Sequence, residues 1–193
     1  DVLGTGWFAA VAAEAGPGKT VAVVGDGAVG LLGILAASRL GAEHIIIMSR
    51  HPDRQALAKR FGATDIVEER GDEGVAKIKE LTNGLGAHSV IEAVGTQESM
   101  MQAIRATRPS GHVGYVGVSH DVSLDGLELF FSGIHLHGGP APVRRFLPEL
   151  IDLIMSGEIN PGEVFDLTLP LDQAAEGYKA MDERRATKVL LTL

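Results

Sequence analysis

The chain contains no cysteine among its 193 residues. Without thiols it forms neither a disulfide bond nor a metal site built on thiolates, so cysteine usage says nothing about the cellular compartment. Basic residues are also in the minority, with 17 Lys and Arg against 25 Asp and Glu and a net charge of −8. This balance argues against nucleic acid or an anionic membrane as a partner, but it leaves room for a local basic pocket.

Long apolar runs are missing as well. No stretch approaches the roughly 18 apolar residues that a membrane span needs, and no secretory signal pattern opens the chain. We therefore expect no membrane partner and a cytoplasmic location. The chain begins with Asp1 instead of methionine, which leads us to expect a piece of a longer protein. Its 25 glycines are scattered, which predicts tight turns and close backbone approaches rather than disorder.

Short apolar runs alternate with helical patterns along most of the chain. The predicted strands are "TVAVVG" (20–25), "HIIIM" (44–48), "DIV" (65–67), "SVIEAV" (89–94), "GHVGYVGV" (111–118) and "IHLHG" (134–138). The predicted helices cover residues 5–15, 28–40, 53–61, 73–81, 97–106 and 146–155, the last with Pro148 tolerable only in its first turn. This alternation predicts an α/β fold, a doubly wound parallel sheet of Rossmann type with helices on both faces.

The main chemical motif is a glycine-rich turn between the first predicted strand and the next helix: Gly25, Asp26, Gly27, Ala28, Val29 and Gly30. The first glycine permits the tight turn, the second lets the backbone approach a pyrophosphate, and the third allows close helix–strand packing. The helix N-terminus offers free N–H groups to phosphates. The motif therefore predicts dinucleotide binding, the alternative being a tight turn that holds no ligand.

The end of the second predicted strand bears on the choice of dinucleotide. Roughly twenty residues past the motif an acid usually binds the ribose hydroxyls, but here Ser49 and Arg50 stand in that place. A hydroxyl and a guanidinium attract the 2′-phosphate that a carboxylate would repel, and Arg54 follows one turn later. We predict NADP rather than NAD, against the alternative of an exposed arginine at a strand end. Arg70 is more simply a surface residue than a phosphate contact.

The chain as a whole resembles the coenzyme-binding domain and C-terminal tail of medium-chain, zinc-dependent alcohol dehydrogenases. The resemblance rests on "DVLGTGWFAAV", "VAVVGDGAVGLLGILAASRLGA", "MSRHPDRQALAKRFGATDIV", "ELTNGLGAHSVIEAVG", "GHVGYVGV" and "ATKVLLTL". It implies a dinucleotide-binding domain with a leading linker helix over residues 1–159. It also implies that residues 160–193, where the pattern changes to strand, helix, strand, belong to a catalytic domain whose remainder is absent from this chain.

The resemblance implies an oxidoreductase that, in the intact protein, transfers hydride between NADP(H) and an alcohol or its aldehyde or ketone with the help of zinc. No catalytic residue is assigned within this chain, and the chain alone is expected to be inactive. Two alternatives stay open: a zinc-free quinone or enoyl reductase of the same superfamily, and a nucleotide-binding module without catalysis. Binding of the cofactor does not separate the three.

Residue roles also follow from the resemblance. The residues implied to lie along the cofactor are Val29 and Thr5 at the nicotinamide, Ala93, Val94 and Gly95 in the cleft, Val116, Gly117 and Val118 at the ring and carboxamide, and Lys188 at the pyrophosphate. Asp1 falls at the third zinc ligand, which is chemically reasonable for a carboxylate. The alternative for Asp1 is a terminal residue that binds nothing. The "DERR" run at 182–185 is predicted to be a solvated helix end.

The histidines, by contrast, show no spacing typical of metal ligands, and we expect them to be structural. In the resembling family the last sheet strand pairs with its own copy across a two-fold axis. Here "GIHLHGG" (133–139) would be that strand, and it has no lysine, glutamate or internal proline to block edge pairing. We therefore expect a homodimer, unless Pro140 and the loop after it cover the edge.

Overall fold

The computed structural model of the protein describes residues 1–193 and contains a six-stranded sheet. Its strands, in the spatial order β3-β2-β1-β4-β5-β6, are all parallel. They are β1 (Thr20–Val24), β2 (His44–Met48), β3 (Asp65–Val67), β4 (Ala87–Glu92), β5 (Thr107–Tyr115) and β6 (His135–Gly138). The predicted Rossmann-type sheet is confirmed. Its strand order reverses between β1 and β4, the position where open α/β sheets form a crevice for ligands.

Eight α-helices accompany the strands. They are α1 (Val2–Ala12), α2 (Ala28–Arg39), α3 (Pro52–Phe61), α4 (Gly71–Leu81), α5 (Gln97–Ala106), α6 (Gly126–Ser132), α7 (Val143–Met155) and α8 (Ala174–Asp182). None of these helices has the length and apolar character that crossing a membrane requires.

The apolar core lies on both faces of the sheet. A cluster of 27 buried residues joins α1, α2 and α3 to one face, and a cluster of 12 joins the opposite face to α4 and α5. Alternation along β1 explains the division, because Val21 and Val23 belong to the first cluster whereas Ala22 and Val24 belong to the second. Each fully buried aliphatic side chain contributes roughly 1.5–3 kcal/mol, so the sheet is well anchored on both sides.

Helix α1 packs unusually close to its neighbours. A Cβ atom built on Gly6 would lie 2.7 Å from the backbone nitrogen of Gly33 in α2. One built on Gly114 of β5 would lie 2.1 Å from the carbonyl oxygen of Ala9 in α1. Because glycine has no Cβ, α1 can lie between α2 and the sheet. This contact fixes Thr5 near the carboxyl end of β5.

The last part of the chain forms a separate two-stranded parallel sheet of β7 (Leu167–Pro170) and β8 (Val189–Thr192). Ile159 and Val164, just before it, are buried in the larger core cluster. Ion pairs join Arg39 to Glu158 and Arg60 to Glu163 across the same contact. The separate sheet agrees with a change of layer near residue 160, and the domain boundary between 159 and 160 stays a prediction.

Several predicted boundaries were wrong. Helix α6 is absent from the predicted helices, but it forms, and Asp125 caps it by accepting hydrogen bonds from the backbone N–H groups of Leu127 (2.7 Å) and Glu128 (3.1 Å). Strands β4 and β5 each begin and end earlier than predicted. Pro148 is the sixth residue of α7 and thus lies beyond its first turn. It is exposed, as is Arg144, so the carbonyl that Pro148 leaves without a donor can bind water.

Candidate dinucleotide site

The glycine-rich turn has the shape that its sequence predicts. Gly25 has φ +113°, which favours glycine, and a Cβ on Gly30 would lie 1.8 Å from the carbonyl oxygen of Gly25. Gly27 differs from both, because an added Cβ there would meet no heavy atom within 4 Å. The turn therefore needs Gly25 and Gly30 for its own geometry, whereas Gly27 keeps open the space in front of the N-terminus of α2.

A cavity of about 480 Å³ opens in front of this turn, at the carboxyl ends of β1 and β4. Its lining comes from the turn, α3, the segment between β3 and α4, the segment after β4, α5 and the tail: Val24, Gly25, Asp26, Gly27, Arg54, Arg70, Ala93, Val94, Thr96, Ser99, Gln102 and Arg184. The cavity thus coincides with the reversal of strand order, and we refer to it below as the cleft.

Asp26 is at the centre of the polar contacts in the cleft. Ser49 Oγ donates a hydrogen bond to Asp26 Oδ2 at 2.6 Å, and Arg54 Nη1 donates to Oδ1 at 3.2 Å. The Asp26 and Arg54 side chains are each only 13% exposed. The Ser49 hydroxyl, expected to face a ligand, is instead buried and bonded to this carboxylate.

Arginines dominate the charge of the cleft. Arg54, Arg70 and Arg184 line it, and Asp26 is the only acidic residue among the lining residues. Burial lowers the pKa of Arg70, the positive charges of Arg50 and Arg184 lower it further, and the charge of Asp26 opposes both. Arg50 itself is exposed and its Nε donates to the carbonyl oxygen of Glu68 at 2.8 Å. Three guanidinium groups therefore line the cleft with a single carboxylate, and Arg50 lies close enough to act on Arg70, which makes the cleft suited to an anion.

A second cavity, of about 400 Å³, lies at the carboxyl end of β5. It is lined by Thr5, Tyr115, Val116, Gly117, Val118, Ser119, Gly139, Pro140 and Ala141. Thr5 Oγ1 lies 3.1 Å from the carbonyl oxygen of Asp1 and donates to it. The structure thus brings together Thr5, Val116, Gly117 and Val118, which the sequence predicts to lie near one nicotinamide ring.

Glu92 contacts a residue of each cavity, Val94 of the cleft and Gly117 of the second cavity. It is fully buried at the end of β4, and its Oε1 accepts hydrogen bonds from the N–H groups of Val94 (2.9 Å) and Gly95 (2.8 Å). Its Oε2 has no hydrogen-bond partner and faces Gly117, where a Cβ would come within 2.6 Å. Sequence reasoning gave Glu92 no role, although an acid within an apolar strand was a visible signal.

The remaining predicted residues are more scattered. Ala28, Val29 and Gly30 form the first turn of α2, behind the cleft lining. Gly95 packs against Val118, whose carbonyl oxygen a Cβ would approach to 2.4 Å. Lys188 lies in the tail, where it lines a separate small cavity with Tyr178 and Val189. The structure does not bring Lys188 into the cleft.

Asp1 lies at the start of α1. Its Oδ1 accepts a hydrogen bond from Thr5 Oγ1 at 3.3 Å, and no group of three or more His, Cys, Asp or Glu residues that could hold a metal ion exists in the chain. One carboxylate does not make a zinc site, which needs at least three protein ligands. The residues of this chain therefore do not by themselves fit a zinc ion.

Two cleft arginines were expected elsewhere. Arg184 belongs to the "DERR" run predicted to be solvated, but it lines the cleft, whereas its neighbour Arg185 pairs with Glu176 and Glu183 on the surface. Arg70, expected to be a surface residue, also lines the cleft. No local pattern distinguishes Arg184 from Arg185, since only the path of the tail brings one of them to the sheet.

The fold and the cleft define a class, the Rossmann-type domains with a glycine-rich turn at the reversal of strand order. Residues 28–156 match the family described as zinc-binding dehydrogenase, and the chain belongs to this family. The expected relationship to zinc-type alcohol dehydrogenases is thereby confirmed.

Individual relatives agree with this assignment. A Mycobacterium tuberculosis protein named a probable zinc-binding alcohol dehydrogenase is 40% identical, over 100% of this chain and 50% of its own length. An NADP-dependent isopropanol dehydrogenase of Thermoanaerobacter brockii is 34% identical, over 85% of this chain and 48% of its own. The solved alcohol dehydrogenase of Thermus sp. ATN1 is 31% identical with a TM-score of 0.91, over 100% of this chain and 56% of its own. The chain spans about half the length of the curated relatives it matches.

Proposed function

We propose that this chain binds NADP(H) and holds the nicotinamide in position for hydride exchange with a small alcohol or its carbonyl compound, within a longer enzyme. The observation that carries the proposal is the cleft itself, where a glycine-rich turn and a cluster of arginines meet at the reversal of strand order. A dinucleotide carries negative phosphates at the positions where this chain concentrates its positive charge.

The pyrophosphate is assigned to the turn. The open space at Gly27 allows phosphate oxygens to reach the backbone N–H groups at the start of α2. These groups lack partners within the helix and carry its partial positive charge. Arg184, which replaces the expected Lys188 as the tail's basic residue at the cleft, is positioned to face the same anion.

The choice of NADP over NAD rests on charge. Arg50, Arg54 and Arg70 lie near the end of β2 and the segment after β3, and no acid follows β2 directly. Arginine forms paired hydrogen bonds with phosphate, so a 2′-phosphate finds more partners here than a hydroxyl does. A relative 34% identical to this chain is named as NADP-dependent, which supports the same choice.

The nicotinamide end is assigned to the second cavity. When bound, the nicotinamide ring supplies or accepts the hydride. The chain's own residues supply a largely apolar surface in Val116 and Val118 and a hydroxyl in Thr5. Glu92 fixes the segment between the two cavities through the N–H groups of Val94 and Gly95. Zinc would need further protein ligands besides Asp1, and the residues of this chain do not supply them.

Titration of the unaltered chain with NADPH and NADH, followed by fluorescence, tests the proposal. NADPH is expected to bind more tightly, and Arg50→Ala is expected to reduce this preference by about 1.5–3 kcal/mol, the scale of a charge-assisted hydrogen bond. Lys59→Ala is the matched control, since Lys59 is an exposed cation of α3 outside the cleft. Equal dissociation constants for both cofactors would contradict the choice of NADP, and no binding of either would contradict the function.

We also propose that the protein forms a homodimer through β6. This strand is the outermost on its side of the sheet, and Phe130 and Phe131 of the preceding helix are 79% and 77% exposed. An unpaired strand edge beside exposed aromatic side chains favours pairing with a second copy.

A further inference from the structure

The cleft contains a carboxylate that the end of β2 lacks. Val24 of β1 pairs with Met48 of β2, so the residues just beyond these strands lie side by side. In this way Asp26, two residues after β1, meets Ser49, the first residue after β2, at 2.6 Å. An acid from the glycine-rich turn therefore stands next to the place where many dinucleotide-binding domains carry an acid on β2.

This carboxylate has capacity left for a ligand. Two carboxylate oxygens offer about four acceptor sites, and the structure uses one for Ser49 and one for Arg54. Asp26 also lines the cleft. A hydroxyl that enters the cleft beside Ser49 can therefore donate a hydrogen bond to Asp26, whereas a phosphate group in the same place meets a negative charge.

Arg54 is affected by the same carboxylate. It lines the cleft, but its Nη1 is bonded to Asp26 Oδ1 at 3.2 Å. A guanidinium held in this way has fewer donors and a partly compensated charge for a second anion. Asp26 thus acts on a 2′-phosphate twice, by direct repulsion and by occupying Arg54.

We propose that Asp26 is the residue that sets the balance between the two cofactors: it accepts a hydrogen bond from the adenosine ribose and limits the preference for NADP(H) that Arg50 and Arg70 create. The inference rests on the proposed binding of a dinucleotide. It predicts that the unaltered chain binds NADH measurably and that its selectivity is modest.

The test is the ratio of the dissociation constants of NADH and NADPH, which differ only in the 2′-phosphate. Asp26→Asn is expected to weaken NADH and tighten NADPH, so that the ratio rises at least tenfold. Adding Arg54→Gln to Asp26→Asn should remove the gain for NADPH and leave the loss for NADH. Asp53→Asn is the matched control, since Asp53 is an exposed acid of α3 outside the cleft and its removal changes the net charge equally.

Two results would overturn the inference. One is a ratio in Asp26→Asn within twofold of that of the unaltered chain, with both cofactors still bound. The other is an equal shift in Asp53→Asn, which would mean that net charge alone is responsible. Far-UV circular dichroism establishes folding, and Asp26→Ser repeats the measurement if the asparagine variant does not fold. If the unaltered chain binds neither cofactor, the proposed function fails and the inference fails with it. If the unaltered chain binds both cofactors and Asp26→Asn leaves the ratio unchanged, the inference alone fails.

Discussion

Replacing Gly27 by alanine separates binding from folding more cleanly than any other change in the glycine-rich turn. Gly27 has φ −74° and ψ 178°, an extended conformation open to alanine, and an added Cβ meets nothing within 4 Å. Alanine is a poorer N-cap than glycine, but it also lowers the entropy of the unfolded chain. These effects oppose each other, so the free energy of unfolding should change by less than about 1 kcal/mol.

Binding should respond very differently. The methyl group of alanine would occupy the space through which phosphate oxygens approach the start of α2. Loss of one charge-assisted hydrogen bond costs roughly 1.5–3 kcal/mol, so NADPH should bind about 10-fold to 100-fold more weakly. Gly30→Ala provides the contrast, because its Cβ would lie 1.8 Å from the Gly25 carbonyl oxygen and should destabilise the fold by about 1–3 kcal/mol or more.

Fluorescence titration with NADPH and urea unfolding of the same samples measure both quantities. Gly126→Ala is the control, since Gly126 also has open space around its added Cβ but lies in α6, outside the cleft. If Gly27→Ala binds NADPH as tightly as the unaltered chain, the phosphates do not contact this turn and the assignment of the pyrophosphate is refuted.

Three further outcomes are expected. Burial and the charges of Arg108 and Lys19 lower the pKa of His88, so the unfolded chain binds this proton more readily and stability is lost as the pH falls below about 6.5. His88 Nδ1 accepts a hydrogen bond from the Thr20 N–H at 3.0 Å, and His88→Asn can keep an acceptor there. This variant should flatten the decline of Tm between pH 7 and 5, and an unchanged profile would contradict the reasoning. Leu136→Pro removes a ladder donor from β6 and should convert a sedimenting dimer into a monomer, whereas a monomeric unaltered chain at tens of micromolar would refute the edge argument. The chain alone should retain no stoichiometric zinc after dialysis and should not reduce NADP with alcohols, as elemental analysis and absorbance at 340 nm can check.

The sheet could be predicted from the sequence because its signals are local. Residues 45–48 and 66–67 are short apolar runs, and the strands that contain them, 44–48 and 65–67, were predicted at their observed limits. The start of β5 could not be predicted, because Pro109 and Ser110 oppose a strand locally. They lie in an irregularity between two pairings with β4, that of Thr107 with Ala87 and that of His112 with Ser89. Helix α6 was missed for a similar reason, since it has no buried residue to create an apolar period.

The candidate site was less accessible than the fold. The glycine-rich turn could be located, since its spacing is a local property. The bond between Asp26 and Ser49 depends on the register of β1 against β2, which brings together residues 23 positions apart in the sequence. The place of Arg184 depends on the return of the tail to the sheet, a contact between distant parts of the chain. Side-chain roles that arise from such contacts carry no signature in a linear pattern.

A chain with a net charge of −8 can attract an anionic cofactor because the acids near the cleft are compensated by neighbouring hydrogen-bond donors. Glu92 faces the backbone N–H groups of its own loop, and Asp26 is held by Ser49 and Arg54. Both carboxylates are thereby partly compensated, while Arg70 and Arg184 lack carboxylate partners within salt-bridge distance. Charges within a Debye length of about 10 Å act on a bound ligand more strongly than distant ones. Added salt should therefore weaken NADPH binding, because it screens the attraction of the cleft arginines. If repulsion by the net charge dominated, added salt would instead strengthen binding. Titrations with NADPH from low to high ionic strength decide between the two.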